Sequence, residues 1–537
     1  MDTVTRPDVQ LSVGAHRVLR LLTWWAVGLP IIAVAQTSTP STAAGQGFHV
    51  EPSLRVTAVA SDNVSFTSTD TRSDVVLVTT PALRLTGKGP EYELNGSISA
   101  DALVYLGRTL ADRLFPQGNL AGKVQVLPRL FFVDADASVK TTASDPFGPI
   151  GDGPTFLNRN KVARFSISPY IDRELSPLDR LTMRSSHAWS NGFGGDSAQL
   201  ANDAYVETQA IRYERKPTPL GVRLTYDRQA TEYTKEAGNN RIEIRTMRAT
   251  ALYAPNPELT LGAIAGTDQG EYTTNRISDT LTGGSLRWAP SQRTLLDTVV
   301  EKRFFGNGWN TTLTHRSPYV AFSGNIHRTV STYASRQGLL GTTSDVSYLI
   351  DQMLITRIPD AAARAIAVQD IIAQRGLPAS LGSPLEMYSG TVQVLQGSNV
   401  SLAWMGPRDT ITAQYFVQRV RDLRDASEYV FLSADADQRG ASLNYSHRLT
   451  ASMAGDIGVT YSQVLGEGIN LGRKTDNLLW RVGVSESLSP RTTASASLKR
   501  QLVTSDAPGY TANSVTVPAS STRIRSNALS IGVLHRF

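Results

Sequence analysis

The chain has 537 residues, no cysteine, seven histidines and a formal net charge of +6. The absence of cysteine excludes disulfides and thiolate metal sites, and a modest, evenly spread positive charge gives no nucleic-acid signal. The length would admit several ordinary domains, yet no linker, charge block or change of period divides the sequence after its first fifty residues.

In chain order, the first element is "HRVLRLLTWWAVGLPIIAVAQ". Arg17 and Arg20 precede an apolar run from Leu21 to Val34, which closes on Ala33-Val34-Ala35. A charged region, an apolar region and a small-x-small site describe a secretory signal peptide over residues 1–35, cut after Ala35 with Ala33 as the other small residue. The apolar run is shorter than the ~20 residues of a spanning helix, and Pro30 interrupts it. Residues 36–47 read as a polar, disordered linker, and residues 48–537 as one body.

From residue 50 onward the pattern is alternation. In "YELNGSISADALVYLG", Tyr92, Leu94, Ile98, Ala100, Ala102, Val104 and Leu106 share one face, and Glu93, Asn95, Ser97, Ser99 and Asp101 the other. "LFFVDADASVK" and "LLWRVGVSESL" repeat it, while near 204–215 and 293–304 the parity blurs. Successive strand side chains point to opposite faces. Soluble strands run about 5–6 residues and membrane strands about 9–11, so the long run at 92–106 favours a membrane barrel.

Ten short connections, many bearing proline, recur between the strand candidates, for example "GKGPE" (87–91), "LSPLDRL" (175–181), "APNPELT" (254–260) and "LSPRTTA" (488–494). Proline presets a turn and cannot donate to a ladder. Longer polar segments fall between these turns. Short turns at one end and long loops at the other is the asymmetry of outer-membrane barrels. With an opening strand near 50–60 and a closing strand near 524–537, the count is roughly 22, in a range of 18–24, of the even kind such barrels have. The expected fold is therefore all-β, a transmembrane antiparallel barrel.

One stretch departs from alternation. "TRIPDAAARAIAVQDIIAQRGLP" predicts a helix over 360–375, within a loop insertion at about 359–376. Asp360 is placed to cap it, and Gly376 suits its C-terminal end. The topology sets it in a long loop, outside or folded into the lumen. Asp360, Arg364, Asp370 and Arg375 are then candidates for a lumen constriction, the plainer alternative being a helix that covers its own loop. A strand hidden in "SDVSYLIDQML" would move the helix to the opposite side.

The chain ends in "ALSIGVLHRF". Leu529, Ile531, Val533 and Phe537 share one parity, as a closing strand facing lipid requires. The terminal Phe resembles the signature read by the barrel-assembly machinery, although His535 stands where an aromatic or aliphatic residue is more usual. Trp189, Trp288, Trp404 and Trp480 are candidates for interface girdles. The lumen parity carries both signs, with Glu93, Asp101, Asp134, Asp136, Asp172 and Asp456 against Lys140, Arg164, Arg184, Arg223, Arg481 and Lys499. No ring of one charge marks an ion filter, and such a wall suits a neutral or weakly charged, hydroxyl-rich polymer.

"ASDNVSFTSTDTRSDVVLVTTPALRL" (60–85), "DPFGP" (145–149), "IPDAAARAIAVQDIIAQRGLP" (358–378) and "GPRDTIT" (406–412) together resemble the outer-membrane barrel family associated with the PEP-CTERM/exosortase protein-sorting system. The resemblance implies a Gram-negative outer membrane, reached by Sec export, and a link to exopolysaccharide export or surface sorting. It carries no catalytic residues. The leading expectation is a passive pore or export conduit, with outer-membrane lipid, the barrel-assembly machinery and possible exopolysaccharide export components as partners. The alternative is a non-conducting docking barrel for surface or export machinery. A TonB-dependent transporter needs a large N-terminal plug, and only about a dozen residues separate Ala35 from the first strand candidate. Ser186 and His187 are adjacent and point to opposite faces, so they cannot form a dyad. No catalytic, cofactor or metal residue is assigned, and neither enzyme activity nor nucleic-acid binding is expected.

Overall fold

Strand-length alternation leaves each strand with one apolar and one polar face, and a single sheet satisfies both faces only by closing on itself in lipid. The computed structural model of the protein describes residues 47–537 except 144, 146, 149–150, 152–157, 159, 194–202, 234–240, 273–274, 337–345, 379–380, 387–391, 424–434, 509, 513–514 and 518–519. The readings of a signal peptide, with Ala33 and Ala35, and of a linker fall outside the described residues up to 46. Gly47 already begins the first strand.

The strands are β1 (Gly47–Ser61), β2 (Asp74–Lys88), β3 (Tyr92–Tyr105), β4 (Arg113–Leu127), β5 (Phe131–Thr142), β6 (Asn160–Glu174) and β7 (Asp179–Phe193). They continue through β8 (Ala204–Arg215), β9 (Leu220–Tyr233), β10 (Arg241–Asn256), β11 (Leu259–Tyr272), β12 (Asn275–Ser291), β13 (Thr294–Arg303), β14 (Gly306–Arg316) and β15 (Val320–Thr332). After a helical insertion come β16 (Val392–Met405), β17 (Asp409–Asp422), β18 (Ala436–Arg448), β19 (Met453–Gly466), β20 (Lys474–Ser489), β21 (Thr492–Ala507) and β22 (Ser520–Arg536). Each pairs antiparallel with its neighbours in sequence, and β1 pairs with β22, from Ser53 opposite Arg536 to Ser61 opposite Ala528. The result is a closed sheet of 22 strands. A short hairpin of Tyr510–Ala512 with Val515–Val517 stands apart from it.

All ten short connections read from the sequence join strands at one end of the barrel. Pro90, Pro128, Pro177, Pro217, Pro219, Pro257, Pro318, Pro407 and Pro490 sit in eight of them, outside the ladders. The opposite end carries the longer loops, with two exceptions: only two residues separate β11 from β12, and two separate β13 from β14. Phe304 and Phe305 alone join β13 to β14, and Gly306 follows with φ of +98°. These two strands are among the shortest, and β13 carries apolar residues on both faces, Leu295 beside Leu296 and Val299 beside Val300, which blurs the alternation near 293–304.

The outward parity is apolar. Val56 on β1, Ile98 on β3, Leu224 on β9, Val300 on β13, Ile457 on β19, Val482 on β20 and Leu498 on β21 all stand exposed. Leu529, Ile531, Val533 and Phe537 continue the band across the seam. Such a surface on a sheet without edges is the lipid-facing surface of an outer-membrane barrel. Trp189, Trp288 and Trp480 are exposed on it. Trp189 stacks between Phe165 and Tyr205 at 5.9 and 5.5 Å. Trp404 is partly buried.

Candidate functional site

The segment between β15 and β16 leaves the wall at the long-loop end and contains three helices: α1 (Tyr333–Arg336), α2 (Val346–Leu354) and α3 (Ala361–Gln374). The sequence explains α3 at both ends. Asp360 is extended and accepts the Ala363 N–H at 2.8 Å, an N-cap. At the other end Leu377 N–H donates to Ile372 O and Gly376 N–H to Ala373 O, with Gly376 at φ +61°. That is the hydrogen-bond pattern of a glycine-terminated helix. "SDVSYLIDQML" is α2 and not a strand. Val346, Leu349, Ile350, Met353 and Leu354 are buried at helical spacing and pack with Val368, Leu377 and Leu381.

The helices α2 and α3 lie inside the lumen and occupy part of it. α3 touches inward-facing groups on strands from around the barrel, near the short-turn end. Asp360 pairs with Lys88 of β2 at 3.3 Å, and Asp370 with Arg536 of β22. Arg375 donates to the carbonyls of Gly406 and Asp409, the latter at 3.2 Å, and to Thr410 Oγ1; its own carbonyl accepts from Ser446. A Cβ on Gly376 would stand 2.8 Å from Asp456 Oδ1 and 3.2 Å from Ser485 Oγ. Arg364 turns back to Asp351 at 2.6 Å and to the Ile358 carbonyl, bracing α3 against α2. The four residues read as a constriction are therefore not gathered round an opening. Three bind the helix to the wall and the fourth holds the helices together. The chain then climbs back, and Leu385 exchanges two hydrogen bonds with Gln438 of β18 at 2.7 and 2.9 Å.

Two further contacts narrow the long-loop end. The loop after β5 turns Phe147 inward, where it is buried with Leu385, Leu395, Val420, Ala436 and Val464. Its carbonyl accepts from Ser505 at 2.7 Å and from Thr475, while Asp145 pairs with Arg473 at 2.7 Å. This is the "DPFGP" stretch, which alternation alone could not place. On the other side Ala334 of α1 and Val392 pack with Ala188, Ala204, Val206, Tyr233, Ile242 and Ile244. Thr231 of β9 also meets Thr332 of β15 at 3.0 Å, although five strands separate them in the barrel order.

Among the described residues, two large cavities open on the inner side of the wall. One, of about 1080 Å³, lies between α3 and the wall and is lined by Arg55, Arg84, Arg481 and Arg536 together with Glu51, Asp351, Asp370 and Asp456. The other, of about 860 Å³, runs along β7–β15 and is lined by more bases than acids. Carboxylates answer most of those bases. Arg180 meets Asp172 at 2.7 Å, Arg184 meets Asp134 at 2.7 Å, Arg223 meets Glu214 at 3.0 Å, Arg248 meets Glu301 at 2.7 Å and Arg303 meets Asp268 at 2.8 Å. The wall is thus a lattice of ion pairs across strands, of mixed sign as its parity indicated. Ser186 Oγ bonds Ser168 at 2.8 Å on the inner face, and His187 bonds Tyr205 at 2.7 Å on the outer.

No protein-family model matches the sequence, and no curated protein does. Solved structures similar to this chain include the ferric citrate transporter FecA in its unliganded form, at 10% identity and a TM-score of 0.45, covering 93% of this chain and 80% of that one. The siderophore receptor PirA from Acinetobacter baumannii gives 9% identity and 0.41, covering 92% and 81%. The FrpB iron transporter from Neisseria meningitidis gives 8% and 0.36, covering 91% and 81%. All are distant likenesses.

Proposed function

We propose that this outer-membrane barrel is a gated conduit, with the folded-in helices α2 and α3 as its movable obstruction. One observation carries the reading: α2 and α3 have a core largely of their own, and the links from α3 to strands far from β15 and β16 are polar, while α1 and Leu385 add apolar contacts with the wall. Of the helices' apolar cluster, Val346, Leu349, Ile350, Met353, Leu354, Val368, Leu377 and Leu381 come from the segment, and Ala321, Ala403 and Met405 from the wall. The links from α3 to distant strands are the Asp360, Asp370 and Arg375 contacts. The exposed Asp360–Lys88 pair contributes about 0–1 kcal/mol, and the part-buried hydrogen bonds of Arg375 about 1.5–3 kcal/mol each. A pre-folded body on a few polar latches can leave without unfolding the barrel.

The cargo in this reading is exopolysaccharide, moved beside the PEP-CTERM/exosortase sorting system, and the four resembling stretches support it. The ion-paired inner wall suits a hydroxyl-rich chain. The barrel-assembly machinery would take up the final strand through Leu529, Ile531, Val533 and Phe537. The partly filled lumen also favours a second reading, a non-conducting barrel that docks surface or export machinery. Conductance in a planar bilayer separates the two, for the refolded protein, a version lacking 359–378, and the latch variant Asp370→Asn/Arg375→Gln. The gated conduit predicts little current in the intact protein and large, steady current in both altered forms. Silence in all three, with each shown folded by its heat-modifiable gel mobility, would leave the docking barrel.

A further inference from the structure

We propose that the outward face of the closing seam is a binding site for a phosphorylated glycolipid of the outer leaflet, with acyl chain in a groove and phosphate on three arginines. The groove, of about 1070 Å³, crosses β1, β22 and β21 at the long-loop edge of the apolar band. Ala60, Leu498 and Leu529 form its floor, Leu106 one flank, and Trp480 and Val482 the other. In lipid a groove of this kind holds hydrocarbon, because an empty one forfeits dispersion contacts.

On β22 the band ends at Leu529 and Asn527 is the next outward residue, while on β21 and β20 the outward Leu502 and Leu478 continue it to the level of Arg525. Above Asn527 come Arg525 and Arg523, with Arg500 opposite Asn527 on β21. Residues two apart on a strand lie about 6.7 Å apart, and diagonal neighbours about 7–8 Å, so the three guanidiniums form one cluster over the groove. All three residues are exposed, and they have no ion-pair partner among the described residues. Some outward bases elsewhere are paired, Arg419 and Arg421 sharing Asp437 and Lys474 meeting Asp476, while others such as Lys302 and Arg439 stand singly; the seam differs in grouping three. The three carboxylates at this patch are already engaged, Asp62 by Asn527 at 2.6 and 2.7 Å, Asp506 by Ser521 at 2.6 Å, and Asp74 by the Gly107 N–H at 2.7 Å and the Thr109 hydroxyl at 2.5 Å. Arginine matches phosphate with a planar, bidentate fork. Acyl chains below and phosphates along a row of arginines above are the chemistry of a bisphosphorylated, multiply acylated sugar lipid.

The test is native mass spectrometry of the full folded protein in detergent, titrated with bisphosphorylated lipid A and, separately, with phosphatidylethanolamine. The expected result is retention of lipid A at least tenfold above phosphatidylethanolamine. That preference should fall at least tenfold in Arg500→Gln/Arg523→Gln/Arg525→Gln and stay unchanged in Arg419→Gln. Equal retention of the two lipids, or a triple variant that keeps its lipid A, would overturn the site. The substitutions lie on exposed outward positions, and heat-modifiable mobility verifies that each variant is a closed barrel.

Discussion

Glu386 is the residue in the lumen segment whose charge state is least comfortable. Its side chain is 11% exposed and that of Arg336 is 6%, yet their nearest N–O distance is 3.5 Å, and both Glu386 Oε2 and Arg336 Nε lack a hydrogen bond among the described residues. Burial pushes the Glu386 carboxyl above the ordinary carboxylate range, and the opposing pull of Arg336 and Lys140 does not reverse it. A folded state that holds a proton more tightly than the unfolded one gains stability in full below the ordinary carboxylate value and loses it as pH rises through the raised one. The segment should therefore dock best in acid and loosen as pH climbs through that window. The chain has no cysteine of its own, so Val368→Cys supplies a single buried reporter. Its labelling rate, normalised to a free thiol, should rise with pH, and Glu386→Gln, which stays neutral, should flatten the rise. An unchanged slope in Glu386→Gln would assign the pH effect elsewhere. None of this was legible from the sequence, since Glu386, Arg336 and Lys140 are brought together by folding the loop inward, and alternation says nothing about loops.

At the scale of elements, what was legible followed from periodicity and from chain stiffness. Ten turns were readable because proline or polar residues interrupted a strict two-residue period. The Phe304-Phe305 turn was not, because two aromatic residues look like strand. The helix α3 announced itself by a run of alanines with a cap at each end. By contrast, α2 is short, and its buried set at 346, 349, 350, 353 and 354 fits a helix only when weighed against a strand. Register was the missing quantity at the site: the partners of Asp360, Asp370 and Arg375 lie on β2, β22 and the start of β17, and one chain's period cannot say which strands an inserted helix will touch. The end of α3 gives a graded test of docking. Gly376→Ala forces a side chain into the left-handed region, at about 1–2 kcal/mol, and sets its Cβ against Asp456. Gly382→Ala carries the same backbone strain at φ +54°, but its nearest neighbour is Thr460 Cγ2 at 3.7 Å. Backbone strain within a pre-folded segment is the same docked and undocked, so undocking, read as open-channel occupancy in the bilayer, should rise in Gly376→Ala through its contact with Asp456 and change little in Gly382→Ala. Equal effects would mean that Asp456 does not hold the helix end.

For the whole molecule, the property on which the others depend is closure. β1 and β22 lie nearly five hundred residues apart in sequence and meet edge to edge, so their pairing removes the last open edge, which lipid would not tolerate. The seam carries further fastenings: Phe537 N–H donates to Pro52 O at 3.0 Å, and His535, unusual for its position, bonds Thr492 at 3.0 Å and stands edge-on to Phe537 at 4.8 Å. The register places Ala58 opposite Ile531. Antiparallel partners have Cα atoms about 4.5–5.5 Å apart, inside the span a disulfide bridges, about 4.4–6.8 Å. In a chain without other cysteines, Ala58→Cys/Ile531→Cys should therefore oxidise within one molecule, giving a cross-linked band of altered mobility whose yield does not depend on protein concentration. The offset pair Ala58→Cys/Gly532→Cys, whose side chains point to opposite faces, should stay reduced under the same oxidant. Cross-links between molecules in place of within them would mean an edge left open to a neighbour; efficient oxidation of the offset pair would mean that the strands slide by one residue, which would turn the lipid-facing Leu529, Ile531 and Val533 towards the lumen.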